Sequence, residues 1–204
     1  MAWQPGFCRD DVEIIASKTV YHGFFKVSEL QIRHARFAGG NITIQRELLH
    51  RGDAVCVLLF DPQSREVALI EQFRVGAVDK SPSPWLLELV AGMVEPGETA
   101  QDVAIREAVE EAGAIIKDLV PITRYSPSVG GCDEYVDLFC ARVDAAALGG
   151  LHGLEAEGED IKVHVIPLEE AIKLVAEGVI DNAGTIIALQ WLQLNLDKVL
   201  QNWQ

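Results

Sequence analysis

Short runs of alternating apolar and polar residues fill the first quarter of the chain. They predict strands at residues 12–15, 24–37 and 42–49, with a hairpin turn at Gly39, Gly40 and Asn41. Two further apolar runs, 54–60 and 67–72, flank the turn-forming Asp61-Pro62-Gln63-Ser64-Arg65 and read as a second hairpin. After Phe73 and Arg74, a loop holding Ser81-Pro82-Ser83-Pro84 leads into an apolar strand at 85–91. Later strands are expected at 121–125, 135–143 and 161–166.

Between these strands the period lengthens. Residues 100–112 predict a helix, opened by Thr99 with Asp102 and closed by Gly113. Its Ile105, Ala108, Val109 and Ala112 recur at helical spacing, a stripe that must face a core. A second helix is expected at 168–177, ended by Gly178, and a third capped by Asp181 and running through Trp191 towards Val199. Ala171, Leu174 and Val175, then Ile187, Trp191 and Leu194, read as packing stripes. No internal repeat or low-complexity tract interrupts the pattern.

Length and charge narrow the class. The 204 residues suffice for one α/β domain with an appendage, and the block 1–50 is too small to hold a core alone. It is expected to pack on residues 51–204 or on a second subunit. A net charge of -14 argues against a nucleic-acid backbone or an anionic membrane as partner. The opening MAWQPGFCRDDVEII lacks a basic segment followed by an apolar run, and no stretch is long enough to span a bilayer, so a cytoplasmic protein is expected. Cys8, Cys56, Cys132 and Cys140 form no C-x-x-C pair and read as thiols in a reducing compartment.

Candidate chemistry concentrates in the helix at 100–112. Its other face carries Glu107, Glu110 and Glu111, like charges that cost roughly 0.2–0.5 kcal/mol per neighbouring pair, with only Arg106 adjacent. Such a face is either simply solvated or binds a hard divalent cation through carboxylate oxygens. The strand at 85–91 feeds this region, so the carbonyl near Ala91 is a further candidate ligand. Arg46, Arg51 and Arg74 are surface arginines or guanidinium forks for phosphate. Glu155, Glu157, Glu159 and Asp160 lie in a Gly-rich stretch at 148–160 that reads as a mobile acidic loop or as the source of one more catalytic acid.

Spacing decides between the readings of the helix. Gly92, Glu98 and the run Arg106-Glu107-Ala108-x-Glu110-Glu111-x-Gly113-Ala114 fill every position of a pattern that resembles the Nudix box of hydrolases acting on nucleoside diphosphates linked to another moiety. The stretches WLLELVAGM, SPSVGGCDE, HGLEAEGEDIKVHV and IDNA extend the resemblance, over nearly the whole chain, to the bacterial ADP-ribose pyrophosphatases. The resemblance implies an α/β/α sandwich around a mixed sheet, with residues 1–50 as a dimerisation and substrate-clamping subdomain. It implies a homodimer that hydrolyses ADP-ribose to AMP and ribose 5-phosphate with Mg2+ or Mn2+.

Carried over by position, the implied metal ligands are the Ala91 carbonyl, Glu107, Glu111 and Glu159, with Glu110 as ligand or support. Glu157 or Glu159 would activate water, while Arg106 and Glu98 orient the ligand carboxylates. Substrate contacts would come from Arg46, Glu47, Arg51, Arg74, Met93, Ser128, Gly130 and Glu134, and Phe24 and Phe25 would clamp the adenine bound to the partner subunit. Val129 stands where that family's loop usually has proline, and Pro127 lies two residues earlier. The competing expectations are another substrate, such as ADP-glucose, GDP-mannose or a dinucleotide, and a non-catalytic nucleotide-sugar sensor.

Overall fold

The structure is a computed structural model that describes residues 2–203. It forms two units, one made of residues up to Gly52 together with Ser126–Glu134, the other of Asp53–Tyr125 with Tyr135 onward. In the first unit, β1 (Val12–His22), β2 (Lys26–Ala35) and β3 (Asn41–His50) form an antiparallel meander. The β2–β3 turn needs its glycines, because Gly39 and Gly40 have φ of 86° and 70°. β1 runs seven residues past its expected end at residue 15. Its side chains are exposed along almost the whole length, so alternation gives no sign of it; the backbone ladder to β2 holds it. The segment 126–134 docks beside β3, where the Leu49 N–H donates to the Gly131 carbonyl (2.8 Å) and the Asp133 N–H to the Leu49 carbonyl (3.2 Å).

The second unit contains β4 (Ala54–Asp61), β5 (Glu66–Phe73), β6 (Trp85–Glu88), β7 (Val90–Met93), α1 (Ala100–Ala112), β8 (Asp118–Tyr125), β9 (Val136–Arg142), β10 (Gly150–His152), β11 (Ile161–Pro167), α2 (Leu168–Ala176) and α3 (Ala183–Asn202). Its sheet has the order β10-β11-β5-β4-β9-β8, with β6 on β5 and β7 on β4. The sheet is mixed, because β4 and β9 pair in parallel while the other pairs are antiparallel.

Alternation along β4 separates two cores. Val55, Val57 and Leu59 pack with Ile70, Phe139 and the α1 residues Val103, Ala104, Ala108 and Ala112. Leu58 and Phe60 face the other way, onto Leu69, Leu138, Ala171 of α2 and Ala188, Leu189 and Leu192 of α3. The sheet is thus sandwiched between α1 and the α2–α3 pair, an α/β/α architecture. No helix among the described residues is long and apolar enough to cross a membrane.

Three local expectations are corrected. The apolar run at 85–91 is two strands broken at Leu89, since β6 pairs with β5 and β7 with β4. Asn182, rather than Asp181, caps α3 by accepting a hydrogen bond from the Thr185 N–H. Leu194 is 84% exposed and so packs into neither core.

Candidate active site

Local rules build α1 where the carboxylates are needed. The Thr99 hydroxyl accepts from the Asp102 N–H (3.2 Å) and the Asp102 carboxylate from the Thr99 N–H (3.1 Å). At the far end Gly113 takes φ 61°, and its N–H donates to the Val109 carbonyl. The buried face differs from the predicted stripe. Ile105 and Val109 are 51% and 53% exposed, whereas Val103, Ala104, Ala108 and Ala112 lie against the sheet. Small alanines let the helix approach β4 and β7 closely, and that approach carries Glu111 inward until it is only 3% exposed.

Glu111 then meets β7 directly, its Oε2 accepting from the Ala91 N–H at 2.8 Å. Burial pushes its carboxyl up to about 8; the Ala91 N–H opposes this, the charges of Glu107 and Glu159 add to it, and Arg74 opposes it. Glu107 is also raised, chiefly by burial, against the attraction of Arg106. β7 makes room at Gly92, where a Cβ would overlap the Glu107 carboxylate.

Arg106 organises the exposed side. Its Nε lies 3.0 Å from Glu98 Oε1, and its Nη1 lies 2.7 Å from Glu107 Oε1 and 3.1 Å from Glu110 Oε2. One guanidinium therefore offsets three of the carboxylates, and its proton is held more tightly than in an ordinary arginine, mainly by Glu98.

The acidic stretch after β9 is a tied structure. β10 and β11 form a hairpin whose connection includes a 3-10 turn at Glu155–Glu157. The Gly153 N–H donates to the Glu110 carbonyl at the end of α1 (3.3 Å), and the Leu154 N–H donates to Glu159 Oε2 (3.0 Å). Gly153 has φ 99°, and a Cβ there would come within 2.8 Å of the Glu159 Cβ. These bonds bring Glu159 into electrostatic reach of Glu107 and Glu111. Glu157 is exposed on the 3-10 turn.

The other predicted positions divide between the units. In the second unit Arg74 is paired with Glu88 (2.6 Å), and Met93 is 40% exposed at the end of β7. In the first unit Arg51 Nε lies 2.8 Å from Glu134 Oε1, and its guanidinium sits 5.4 Å from the Phe25 ring centre. Phe24 packs edge-on to Phe25 and is 85% exposed. Arg46 and Glu47 are exposed on β3, and Ser128 and Gly130 are exposed in the 126–134 segment. Glu88 and Gly153 escaped the sequence reading, because their parts follow from side-chain pairing and loop docking in the folded chain. Among the described residues no three His, Cys, Asp or Glu side chains converge into a closed ligand set.

Known proteins resemble this chain in sequence and fold. A family model described as NUDIX domain matches residues 50–189. The chain is 48% identical over 198 residues to the ADP-ribose pyrophosphatase of Escherichia coli (strain K12), covering 97% of this chain and 95% of that one. It is 34% identical over 186 residues to the GDP-mannose pyrophosphatase of Cronobacter sakazakii (strain ATCC BAA-894), covering 90% and 96%. A crystal structure of an ADP compounds hydrolase superposes with a TM-score of 0.71 at 21% identity, covering 93% of this chain and 96% of that one, which shows the shared fold. With the family model spanning most of its length and a relative at 48% identity, the chain belongs to the Nudix domain family.

Proposed function

We infer that the protein hydrolyses the diphosphate of ADP-ribose to AMP and ribose 5-phosphate with a divalent cation, Mg2+ or in its place Mn2+. The observation that carries the reading is Glu111 buried against the Ala91 N–H, within reach of the charges of Glu107 and Glu159, on a chain nearly half identical to an ADP-ribose pyrophosphatase. The donor set fits a hard cation: all candidate ligands are oxygens, and two of the three carboxyls are raised mainly by burial and further by like charge. Glu107, Glu111, Glu159 and the Ala91 carbonyl would hold the ion, with Glu110 in support.

When bound, such a cation neutralises the diphosphate and lowers the pKa of a coordinated water. The protein's own groups do the rest. Glu159 or Glu157 takes the proton of the attacking water as its oxygen bonds to phosphorus and the anhydride P–O bond breaks. Arg106 keeps Glu98, Glu107 and Glu110 in place. Arg46, Arg51 and Arg74 would supply charge for the substrate phosphates, and Glu47, Met93, Ser128, Gly130 and Glu134 would make further substrate contacts.

The same reading makes the first unit a dimerisation and clamping element. Its Ile14, Ile15, Val20, Tyr21, Phe24 and Phe37 are exposed, an apolar surface that suits a second copy. A single-chain mass by light scattering would contradict the homodimer. A cytoplasmic location goes with this reading, and cell fractionation tests it.

Similarity to a GDP-mannose pyrophosphatase supports a second reading, in which the same chemistry serves another nucleoside diphosphate sugar. Steady-state comparison of ADP-ribose with ADP-glucose, GDP-mannose and NADH in Mg2+ separates the two. The expected result is AMP and ribose 5-phosphate, with the highest kcat/KM for ADP-ribose. A preference for GDP-mannose would move the assignment to the second reading, and ligand binding without turnover would make the protein a sensor.

A further inference from the structure

The 126–134 segment is fastened by side chains that the site described above does not use. His50, the last residue of β3, places Nδ1 2.6 Å from Asp133 Oδ2 and Nε2 2.9 Å from Ser28 Oγ. An ionised Asp133 can only accept, so Nδ1 carries a proton; in the neutral ring Nε2 then accepts from the Ser28 hydroxyl. The order Ser-His-Asp has the geometry of a nucleophile relay. Ser28, the third residue of β2, is nevertheless 2% exposed, where no substrate reaches it, so the array serves to orient groups.

What it orients is specific. Asp133 uses its second oxygen to accept from the Arg51 N–H (3.1 Å), and the next residue, Glu134, pairs with the Arg51 guanidinium. The Gly131 and Cys132 N–H groups donate to the Ser128 carbonyl (3.2 and 3.0 Å), closing the turn that presents Ser128 and Gly130. Asp133 thus joins the end of β3 to the turn holding three expected substrate contacts, and Ser28 and His50 fix its carboxylate from the sheet side.

We propose that Ser28, His50 and Asp133 form a positioning relay that holds the 126–134 segment and Arg51 in the conformation that binds the nucleotide sugar. The relay sets substrate affinity and takes no part in the chemical step. The proposal rests on the reading of Ser128, Gly130 and Glu134 as substrate contacts.

The test compares wild type with His50→Ala and His50→Asn, whose amide nitrogen takes the place of Nδ1. In His50→Ala, KM for ADP-ribose rises about tenfold while kcat stays within about twofold, the scale of losing an orienting partner. Hydrogen exchange at residues 128–134 quickens in the substrate-free protein, and His50→Asn restores both readouts. Unchanged exchange in His50→Ala, a loss confined to kcat, or labelling of Ser28 by a fluorophosphonate would overturn the relay. Faster exchange with unchanged KM would remove its role in binding. If wild type ignores ADP-ribose and turns over another nucleotide sugar, the substrate assignment fails; the exchange result and the KM comparison with that compound still decide the relay.

Discussion

Gly92 is a residue whose missing side chain does the positioning. A Cβ there would overlap the Glu107 carboxylate, so Gly92→Ala displaces a proposed metal ligand while leaving both cores untouched. A shift of that kind costs roughly a hundredfold in kcat/KM, and the melting temperature should stay close to wild type. An alanine variant with wild-type kcat/KM would contradict the arrangement. Gly92, Glu98 and the glutamates were legible because their meaning lies in spacing along one chain segment. Glu88, His50 and Asp133 were not, because their partners Arg74, Ser28 and Arg51 are set by side-chain pairing, strand register and loop docking, which the hydrophobic pattern leaves open. Arg106 lay between these cases: Glu107 and Glu110 are its neighbours on the helix, whereas its simultaneous hold on Glu98 needed the fold of the loop.

At the scale of elements, the helix at 100–112 was read to the residue and its buried face was not. Periodicity favours the large Ile105 and Val109, but close approach to a sheet selects Ala104, Ala108 and Ala112, and those alanines bury Glu111. The break at Leu89 was hidden in a uniformly apolar run. The β4–β5 turn yields a prediction about pH. Asp61 is 7% exposed. Burial alone would raise its carboxyl, but bonds from the Ala145, Gln63 and Ser64 N–H groups outweigh it and hold the pKa below the ordinary 3.8. Because the folded-state pKa is the lower one, this stabilisation is fully present above the unfolded value. It is lost as pH falls through the folded one. Asp61→Asn should therefore be less stable by about 1–3 kcal/mol in urea unfolding at pH 7, with the gap narrowing below about pH 4. A gap that does not change with pH would contradict this account of the turn.

At the scale of the molecule, one sheet does two jobs. One face packs on α2 and α3 for stability, while the other packs on the alanine face of α1 and so carries Glu107 and Glu111 to β7. The α/β/α plan was legible through the family resemblance, because periodicity marks strands and helices and leaves their layering open. The proposed association of two copies was not, because exposure of apolar residues such as Ile14, Tyr21 and Phe37 follows from the tertiary fold, which the alternation along β1 does not reveal. Light scattering should give the mass of two chains, and truncation before β4 should abolish both dimer and turnover; a fully active monomer would contradict the clamping role.

The most direct test of the central claim is kcat/KM for ADP-ribose with Mg2+ in wild type and Glu111→Gln, with products resolved by chromatography. Glutamine keeps an oxygen for the Ala91 N–H and removes only the charge. The account predicts AMP and ribose 5-phosphate from wild type. It predicts a loss of at least about a hundredfold in a variant that remains folded, on the scale of removing one key electrostatic group. Wild-type turnover by Glu111→Gln would show that the chemistry lies elsewhere.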